Sequence, residues 1–448
     1  MRQMYGMQGA YAHTHSVAVF NFILLTFNFI LSYMHIYFSG ISGAALGPLA
    51  MIALDCGYDV SGSDLHDSPL LLELRSRGAQ IAIGEQTGEH LEQIHSGQPI
   101  DWFVYTAALP DDHPDILQAT NHHIRITKRD EFVNHIIKDK DLQMIAVSGT
   151  HGKSTTTAMI IWLFHAMNVP VSYMTGSPLN FAPSGKYEKE SQYFVYEADE
   201  YDRNMLHFHP FRSVIPSLDH DHVDVYPTAD VYKEAFRTFS EQSEVTITWQ
   251  SVADYAGLLD VQAFSDETDL SSITIIGQHN RKNAFLAMQC VHQTLTHIPK
   301  QSLLPAINDF PGAGRRMEKL QENLYSDYAH HPKEIAVTLQ MASELTDKKP
   351  IIVYQPHQNA RQESIKALYK DAFLQAEKVY WLPTYEPAGR DQPTTDMRDE
   401  LISYVSNKEI VQTAEMDDEL KRTIKQAASS GDTVIIMGAG NIDDWIRN

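Results

Sequence analysis

Short apolar runs that end in glycine-marked turns recur along this chain of 448 residues. The first segment, 36–64, reads strand, glycine-rich turn, helix and strand, an order typical of a βαβ unit of the dinucleotide-binding type. A helical pattern at 155–167 follows another apolar run. The pattern predicts an α/β protein, and further strands are expected at 81–83, 102–105, 144–147, 351–354 and 433–437.

The length of the chain implies several domains, because a single hydrophobic core rarely extends this far. The charged stretch 138–141 is a plausible linker, and a third unit begins near Phe310. We therefore expect three α/β domains in series. They are an N-terminal Rossmann-like domain at 34–140, a central P-loop ATPase-like domain at 141–310 and a C-terminal Rossmann-like domain at 311–448.

An apolar extension, 1–33, precedes the first predicted strand. No Asp, Glu, Lys or Arg occurs between Arg2 and Asp55, and 17–33 is almost wholly apolar. A membrane anchor or an uncleaved signal is one interpretation, although this stretch is at the lower limit for a spanning helix. The strand follows directly, without a linker to hold it away from a bilayer. We therefore favour a mis-assigned start, with Met34 as the true first residue.

Charge and cysteine content narrow the class of protein. The net charge of −22 argues against a general surface for nucleic acid or for an anionic membrane. Only Cys56 and Cys290 occur, so at most one disulfide can form, and a reducing cytoplasm fits best. If the substrates are anionic, local basic groups must hold them.

The segment 149–154, Gly-Thr-His-Gly-Lys-Ser, lies between a predicted strand and a predicted helix. Backbone N–H groups and the helix dipole favour phosphate at such a place. Lys153 would neutralise β- and γ-phosphate charge, and Ser154 would place a hydroxyl on Mg²⁺. Val147 stands where the general phosphate-loop pattern has its first glycine, so this loop is a tighter variant. It predicts an ATP site.

Two acidic stretches follow apolar runs farther along. Glu197 begins the first, and 219–224, Asp-His-Asp-His-Val-Asp, forms the second. Carboxylates with one histidine suit magnesium, and a solvated acidic turn is the plain alternative. A zinc site would instead use the histidines His207, His209, His220 and His222.

Three further patterns each allow two interpretations. Asn280 and Asn283 either cap a helix or bind an adenine edge. The pair Arg315-Arg316 is either a solvated turn or a clamp for the γ-phosphate. The opening turn has Ala45 in place of a third glycine, so it indicates either a ligand-binding turn or tight packing of helix on strand.

Taken in order, these segments resemble the Mur ligase family of peptidoglycan synthesis, from about His35 to the C-terminus. The resemblance depends jointly on six motifs, which lie at 149–155, 197–200, 221–224, 279–284, 314–316 and 327–332. It implies an ATP- and Mg²⁺-dependent amide-bond ligase. ATP would phosphorylate the carboxylate of UDP-N-acetylmuramate, and the amino group of L-alanine would attack the acyl phosphate. The enzyme would be a cytoplasmic monomer or homodimer without a nucleic-acid or membrane partner.

The resemblance also implies roles for individual residues. The residues expected to take part in catalysis are Lys153, Glu197, His222, Arg315 and Arg316. Those expected to bind the metal are Ser154, Glu197 and His222. The residues expected to bind ATP are Gly149, Thr150, His151, Gly152, Lys153, Ser154, Thr155, Asn280, Asn283 and Asp327. The residues expected to bind the substrates are Gly40, Gly43, Ser63, Asp64, Tyr328, His330 and Arg361.

Three departures from the family pattern bear on the acceptor and on the loops. Ser42 and Ala45 interrupt the glycine turn, and Ser217 and Asp219 replace the usual Asn and Glu. After 355–357, Gln-Pro-His, only Arg361 remains of two arginines that would meet the alanine carboxylate. Two alternatives to L-alanine ligation therefore stay open: a ligase that recycles a murein tripeptide, and a nucleotide-sugar-binding module without activity.

Overall fold

The computed structural model describes residues 34–106, 109–222, 225–386 and 396–448. The predictions for 1–33 and the motif residue Asp224 fall outside these residues. Contacts divide the chain into two compact units, one ending at Arg129 and the other beginning at Asp130. Among the described residues, no helix is long and apolar enough to cross a membrane.

The first unit contains a five-stranded parallel sheet in the order β3-β2-β1-β4-β5. Its strands are β1 His35–Ser39, β2 Asp59–Asp64, β3 Gln80–Ile83, β4 Trp102–Tyr105 and β5 Arg125–Lys128. The helices between them are α1 Leu46–Asp55, α2 Pro69–Ser76, α3 Glu89–Gly97 and α4 Pro114–Asn121. The helix α5, Arg129–Asp139, leads into the second unit.

The strand order reverses between β1 and β4, so the turn after β1 lies at the switch point where doubly wound sheets bind ligands. Gly40 in this turn has φ +84°, and a Cβ there would lie 2.9 Å from Cγ2 of Thr106, after β4. Gly47 allows α1 and α2 to touch, because a Cβ would lie 2.1 Å from Cδ2 of Leu70. Both readings of this turn, close packing and an open ligand edge, are therefore compatible with its geometry.

The second unit begins with a seven-stranded sheet, β12-β11-β10-β6-β9-β7-β8, parallel except for β8. The strands are β6 Gln143–Val147, β7 Ser172–Met174, β8 Gly185–Lys186, β9 Tyr193–Glu197, β10 Arg212–Ile215, β11 Thr246–Trp249 and β12 Gln262–Phe264. The helices are α6 Lys153–Ala166, α7 Ala229–Glu241, α8 Gln250–Ala256, α9 Gln278–Thr294 and α10 Lys300–Asn308, with a 3₁₀ segment at Tyr201–His207.

A six-stranded sheet completes the second unit in the order β13-β14-β18-β15-β16-β17, parallel except for β13. Its strands are β13 Glu318–Gln321, β14 Leu324–Asp327, β15 Ile351–Tyr354, β16 Lys378–Trp381, β17 Val411–Thr413 and β18 Val434–Met437. The α-helices are α11 Pro332–Leu345, α12 Asn359–Ile365, α13 Arg398–Ser403, α14 Asp418–Ser429 and α15 Ile442–Arg447. Short 3₁₀ segments lie at Lys366–Asp371 and Lys408–Ile410.

Both faces of this last sheet are covered, as parallel sheets require. Along β15 the side chains alternate: Ile352 and Tyr354 pack in one apolar cluster, and Val353 packs in the other. The predicted α/β fold with three successive sheets is confirmed. The domain boundaries at 140 and 310 stay predictions, because contacts join everything after Arg129 into one unit.

Candidate active site

The phosphate loop lies at the carboxyl end of β6 and leads into α6. Gly149 and Gly152 have φ values of +145° and +83°, which side chains rarely adopt. A Cβ on Gly149 would lie 2.7 Å from the carbonyl oxygen of Ser217, and one on Gly152 would lie 2.8 Å from Oδ1 of Asn283. The two glycines therefore let the loop turn tightly between the end of β10 and helix α9.

Residues after β10 hold the loop in place. Oγ of Ser217 accepts from the amide of His151 at 3.0 Å and donates to its carbonyl at 3.0 Å. Oγ1 of Thr150 accepts from the amide of Asp219 at 2.8 Å and lies 2.8 Å from the carbonyl oxygen of Asp219. Ser217 and Asp219 depart from the family pattern; Ser217 holds the loop through its side chain, whereas Asp219 does so through backbone atoms that any residue has.

Lys153 is folded over the loop. Its Nζ donates to the carbonyl of Gly149 at 2.7 Å and to Oε1 of Glu200 at 2.9 Å. Burial alone would lower the pKa of Lys153, but the charge of Glu200 outweighs it and the pKa lies above its ordinary value. The ammonium is therefore charged at neutral pH and lies where a phosphate on the loop would need it.

Ser154 and Glu197 meet at the same edge of the sheet, because β6 and β9 are paired and parallel. Oγ of Ser154 donates to Oε1 of Glu197 at 2.6 Å. The other carboxylate oxygen accepts from Oγ1 of Thr175 at 3.1 Å and from the amide of Gly176 at 2.9 Å. One oxygen is thus anchored and the other faces the serine. Two such hard oxygens beside a phosphate loop fit Mg²⁺, which keeps most of its other ligands as water and phosphate.

His222 does not join Glu197 directly; Nε2 of its ring lies 3.2 Å from Oε1 of Glu200. The predicted metal-binding residues are therefore split into a Ser154–Glu197 pair and a neighbouring His222. Among the described residues, no group of three or more His, Cys, Asp or Glu could hold a metal ion. The zinc alternative gains no support, because His207 pairs with Asp130 at 3.3 Å and Nε2 of His220 lies 2.8 Å from the carbonyl of Tyr226.

A cavity of about 610 Å³ opens beside the loop, with walls from both sheets of the second unit. Residues of the loop and of α9 form one side, and residues of β14 and α11 form the other. Its apolar lining is contributed by Trp249, Val252, Tyr255, Val337 and Met341. Its volume and its mixed apolar and polar lining are those of a site for a nucleotide-sized ligand.

The α9 motif contributes His279, Asn280 and Asn283 to this lining. Nδ2 of Asn280 donates to the carbonyl of Ile276 at 3.0 Å, and Asn283 lies against Gly152. Burial, together with the charge of Arg316, lowers the pKa of His279 to about 4, so its ring is neutral at pH 7. Neither asparagine makes a side-chain cap at the start of α9.

The two adjacent arginines point in different directions. Arg316 lines the cavity, and its Nε is buried without a hydrogen-bond partner. Nη2 of Arg315 instead donates to the carbonyl oxygens of Gly438 and Gly440 at 2.5 and 3.2 Å. Both guanidinium groups lie about 5 Å from the ring of Tyr328, at 4.8 Å for Arg315 and 5.0 Å for Arg316. Of the pair, Arg316 is the one that can reach a ligand in the cavity.

Asp327 ends β14 and also lines the cavity. Its carboxylate accepts from the amides of Met317 and Ala329 at 2.8 and 2.9 Å and from Oγ1 of Thr338 at 3.0 Å. Burial raises the pKa of Asp327, and the charge of Arg316 opposes the shift. The carboxylate thus fixes the loop that carries Arg316 as well as forming part of the wall.

A second group of charged side chains lies outside the lining of this cavity. Nη1 of Arg361 donates to Nε2 of His330 at 2.9 Å, and Nη2 lies 3.4 Å from Oδ2 of Asp221. Since Nε2 of His330 accepts, its proton must be on Nδ1, which lies 3.1 Å from the carbonyl of Tyr328. Burial lowers the pKa of His330, which agrees with a neutral ring. The predicted acceptor residues His330, Tyr328 and Arg361 are thus brought together.

The predicted substrate residues of the first unit lie at the switch point. Oδ2 of Asp64 accepts from the amide of Ser42 at 2.7 Å and so closes the glycine turn that holds Gly40 and Gly43. Ser63 is only 3% exposed, and its hydroxyl donates to Oδ2 of Asp115 at 2.7 Å. Ser63 therefore supports the edge of the sheet from inside.

Sequence reasoning missed two acidic residues of the second unit. Glu200 joins Lys153 to His222, and it belongs to a motif from which only Glu197 was selected. Glu334 accepts from the amides of His330 and His331 and lies 3.6 Å from Nδ1 of His151. It lies in the first turn of α11, two residues after Pro332, and a proline followed by an acidic residue is a helix-start signal that could have identified it.

The phosphate loop, the facing arginine and the cavity between two α/β sheets define a nucleotide-dependent enzyme of the phosphoryl-transfer class. Sequence models of the Mur ligase family match three parts of the chain: the catalytic domain at 35–141, the middle domain at 147–254 and the glutamate ligase domain at 315–440. The chain belongs to the Mur ligase family. The predicted family and the predicted class, an ATP-dependent ligase, are thereby confirmed.

Relatives and solved structures agree with this assignment. The UDP-N-acetylmuramate–L-alanine ligase of Clostridium beijerinckii is 31% identical, over 93% of this chain and 98% of the relative. The structure of UDP-N-acetylmuramate–alanine ligase from Thermotoga maritima matches with a TM-score of 0.76 at 24% identity, over 93% of this chain and 98% of its own. A murein peptide ligase from Psychrobacter arcticus matches with a TM-score of 0.67 at 24% identity, over 92% and 97%. The two structures bear on the fold alone.

Proposed function

We propose that the protein joins L-alanine to the carboxylate of UDP-N-acetylmuramate with hydrolysis of ATP to ADP and phosphate. The relatives are ligases of UDP-N-acetylmuramate and L-alanine, which gives the two substrates. The observation that carries the proposal is the cavity that has the phosphate loop on one wall and Arg316 on the facing wall. A triphosphate between these walls would have its terminal phosphoryl group held by cations from two domains.

In the first step, the muramyl carboxylate oxygen bonds to the γ-phosphorus of ATP, the bond to the β-phosphate oxygen breaks, and ADP leaves. The product is an acyl phosphate. Such a transfer depends on neutralising charge and on alignment more than on covalent help. Lys153 supplies one fixed charge at the loop, and Arg316 supplies the other from the facing wall.

In the second step, the amino group of alanine attacks the acyl carbon. The tetrahedral intermediate expels phosphate, and the amine loses a proton, which the departing phosphate can accept, to leave an amide. Arg361 is the cation next to His330 that would hold the alanine carboxylate by a charge-assisted hydrogen bond. Gly40, Gly43 and Asp64 would hold the UDP part at the switch point of the first unit.

Mg²⁺ is the cation that the paired oxygens of Ser154 and Glu197 fit. His222, whose ring contacts Glu200 next to this pair, would be a third donor. When bound, it would neutralise charge on the β- and γ-phosphates. Because ATP is a cytoplasmic metabolite, we place the reaction in the cytoplasm.

Phosphate release by the full chain tests the proposal. With ATP, Mg²⁺ and UDP-N-acetylmuramate, we expect one phosphate per amide formed, and only when L-alanine is present. Glycine, L-serine and the tripeptide L-alanyl-γ-D-glutamyl-diaminopimelate serve as competing acceptors. Turnover with the tripeptide alone would favour the murein-recycling alternative, and no turnover with any acceptor would contradict the ligase.

A matched pair of lysine variants checks that the activity belongs to this site. Lys153→Ala should abolish phosphate release, because it removes the fixed charge on the loop. Lys319→Ala, at a half-exposed position on β13 that pairs with Glu322, should leave release unchanged. Equal losses in both variants would show that the assay reports general damage to the protein.

A further inference from the structure

Glu200 is a buried carboxylate with no assigned role. It is 1% exposed and follows β9 by three residues. Its carboxylate lies 2.8 Å from Nζ of Lys153 and 3.2 Å from Nε2 of His222. Its backbone carbonyl accepts from the hydroxyl of Tyr226 at 2.5 Å. A carboxylate buried this deeply stays ionised only if a cation or hydrogen-bond donor pairs with it. Glu200 has two such partners, Lys153 and His222, and both belong to the proposed site.

The contact with Glu200 fixes which nitrogen of His222 carries the proton. An ionised carboxylate can only accept, so Nε2 of His222 must donate. In the neutral ring, Nδ1 then keeps its lone pair and is the nitrogen that can bind a cation. Histidines that bind metals are usually held in this manner, by a carboxylate on the other ring nitrogen.

The backbone of His222 shows that its position is constrained. Its φ is +53°, a left-handed conformation that residues other than glycine rarely adopt. Two backbone bonds hold it there: the amides of Val225 and Tyr226 donate to its carbonyl at 2.9 and 2.8 Å. With the backbone fixed in this way, the remaining freedom of the ring is its rotation and its tautomer, and Glu200 contacts the ring.

We propose that Glu200 is the positioning residue of the metal–phosphate site, which orients His222 so that Nδ1 is presented to the cation. The inference rests on the proposed ligase function for the presence of Mg²⁺ with the nucleotide. The same carboxylate also acts on the charge of Lys153. Because Glu200 neutralises that ammonium, removing the carboxylate frees positive charge for phosphate, so nucleotide binding without metal is expected to be unchanged or tighter.

These two effects separate positioning from a merely structural role. If Glu200 only balanced Lys153, its removal would strengthen metal-free nucleotide binding and leave the contribution of the cation untouched. If Glu200 only supported the fold, both kinds of binding would fall together with thermal stability. Positioning of His222 predicts a loss that is confined to the cation.

The test uses the full chain with ADP, without muramate or alanine. Mn²⁺ replaces Mg²⁺ so that its binding to the enzyme–ADP complex can be counted by electron paramagnetic resonance. ADP binding in EDTA is measured by calorimetry. Glu200→Gln removes the charge at nearly constant shape, and Glu200→Ala removes the acceptor. Asp199→Asn is the matched control, because it neutralises a carboxylate of the same segment whose Oδ1 accepts from the amide of Tyr201.

We expect both Glu200 variants to bind Mn²⁺ ten- to a hundredfold more weakly, with ADP affinity in EDTA equal to that of the wild type or higher. Asp199→Asn should stay within about threefold of the wild type. In the His222→Asn background, adding Glu200→Gln should cause no further loss of Mn²⁺ affinity. Wild-type Mn²⁺ affinity in both Glu200 variants would overturn the proposal, as would a parallel loss of ADP affinity in EDTA. A wild-type protein that binds Mn²⁺–ADP but ligates nothing would contradict the proposed function alone.

Discussion

Arg315 and Arg316 are neighbours in sequence with opposite expected roles, so their alanine variants should separate stability from catalysis. Arg315 is 19% exposed in its side chain, and it donates to the carbonyls of Gly438 and Gly440. Hydrogen bonds from a charged donor contribute about 1.5–3 kcal/mol each. Arg315→Ala should therefore lower the free energy of unfolding by about 3 kcal/mol. In the second unit, Asp130–Asn448, an unfolding entropy of roughly 2 cal/mol/K per residue gives about 1.5 °C per kcal/mol, so Tm should fall by roughly 4–5 °C.

Arg316 faces the cavity, so its truncation should change Tm little. It should reduce kcat by about a thousandfold, since an arginine that stabilises a transferring phosphoryl group contributes at least that much. Calorimetric Tm and the rate of phosphate release, measured below the Tm of both variants, give the two readouts. The reasoning is refuted if Arg315→Ala loses kcat at unchanged Tm, or if Arg316→Ala keeps kcat within threefold of the wild type.

Three further predictions follow from single contacts. Gly152→Ala should lower the free energy of unfolding by about 1–3 kcal/mol and weaken ATP binding, because φ is +83° and the new Cβ meets Asn283. Urea unfolding measures the first effect, and ATP titration measures the second. Arg361→Ala should raise KM for alanine roughly 10- to 150-fold and leave KM for ATP nearly unchanged. Burial lowers the pKa of His331 from 6.5 to about 4. The unfolded chain therefore binds a proton at this residue more readily than the folded protein does, so the free energy of unfolding is highest above pH 6.5 and falls as the pH drops towards 4. The loss amounts to at most about 3 kcal/mol. His331→Asn, which keeps a capping oxygen, should flatten Tm between these pH values, and an unchanged slope would contradict the assignment.

Much of the fold and the nucleotide site could be predicted from local sequence. The apolar runs before 149–154 and before Glu197 placed both segments at strand ends, and parallel pairing brings such ends to one edge. The contact between Ser154 and Glu197 follows from that register. The α6 helix begins at Lys153, two residues before the predicted start, because the loop glycine at 152 already turns the chain into the helix.

The rest depends on tertiary contacts that no local pattern contains. Which of Arg315 and Arg316 reaches the cavity depends on two carbonyls more than a hundred residues later, at Gly438 and Gly440. The pairing of Glu200 with Lys153 and His222 joins three strand-end segments, and its motif gives no reason to prefer it over Glu197. The departure at Ser217 is explained only by the backbone atoms of His151 that its hydroxyl contacts.

The central claim is that ATP activates the muramate carboxylate as an acyl phosphate. UDP-N-acetylmuramate labelled with ¹⁸O in that carboxylate tests it most directly, because the bridging oxygen stays with phosphorus when the acyl carbon is attacked. With L-alanine, ATP and Mg²⁺, we expect each phosphate released to carry one oxygen from the labelled carboxylate. Phosphate without the label, formed at the same rate as the amide, would contradict it.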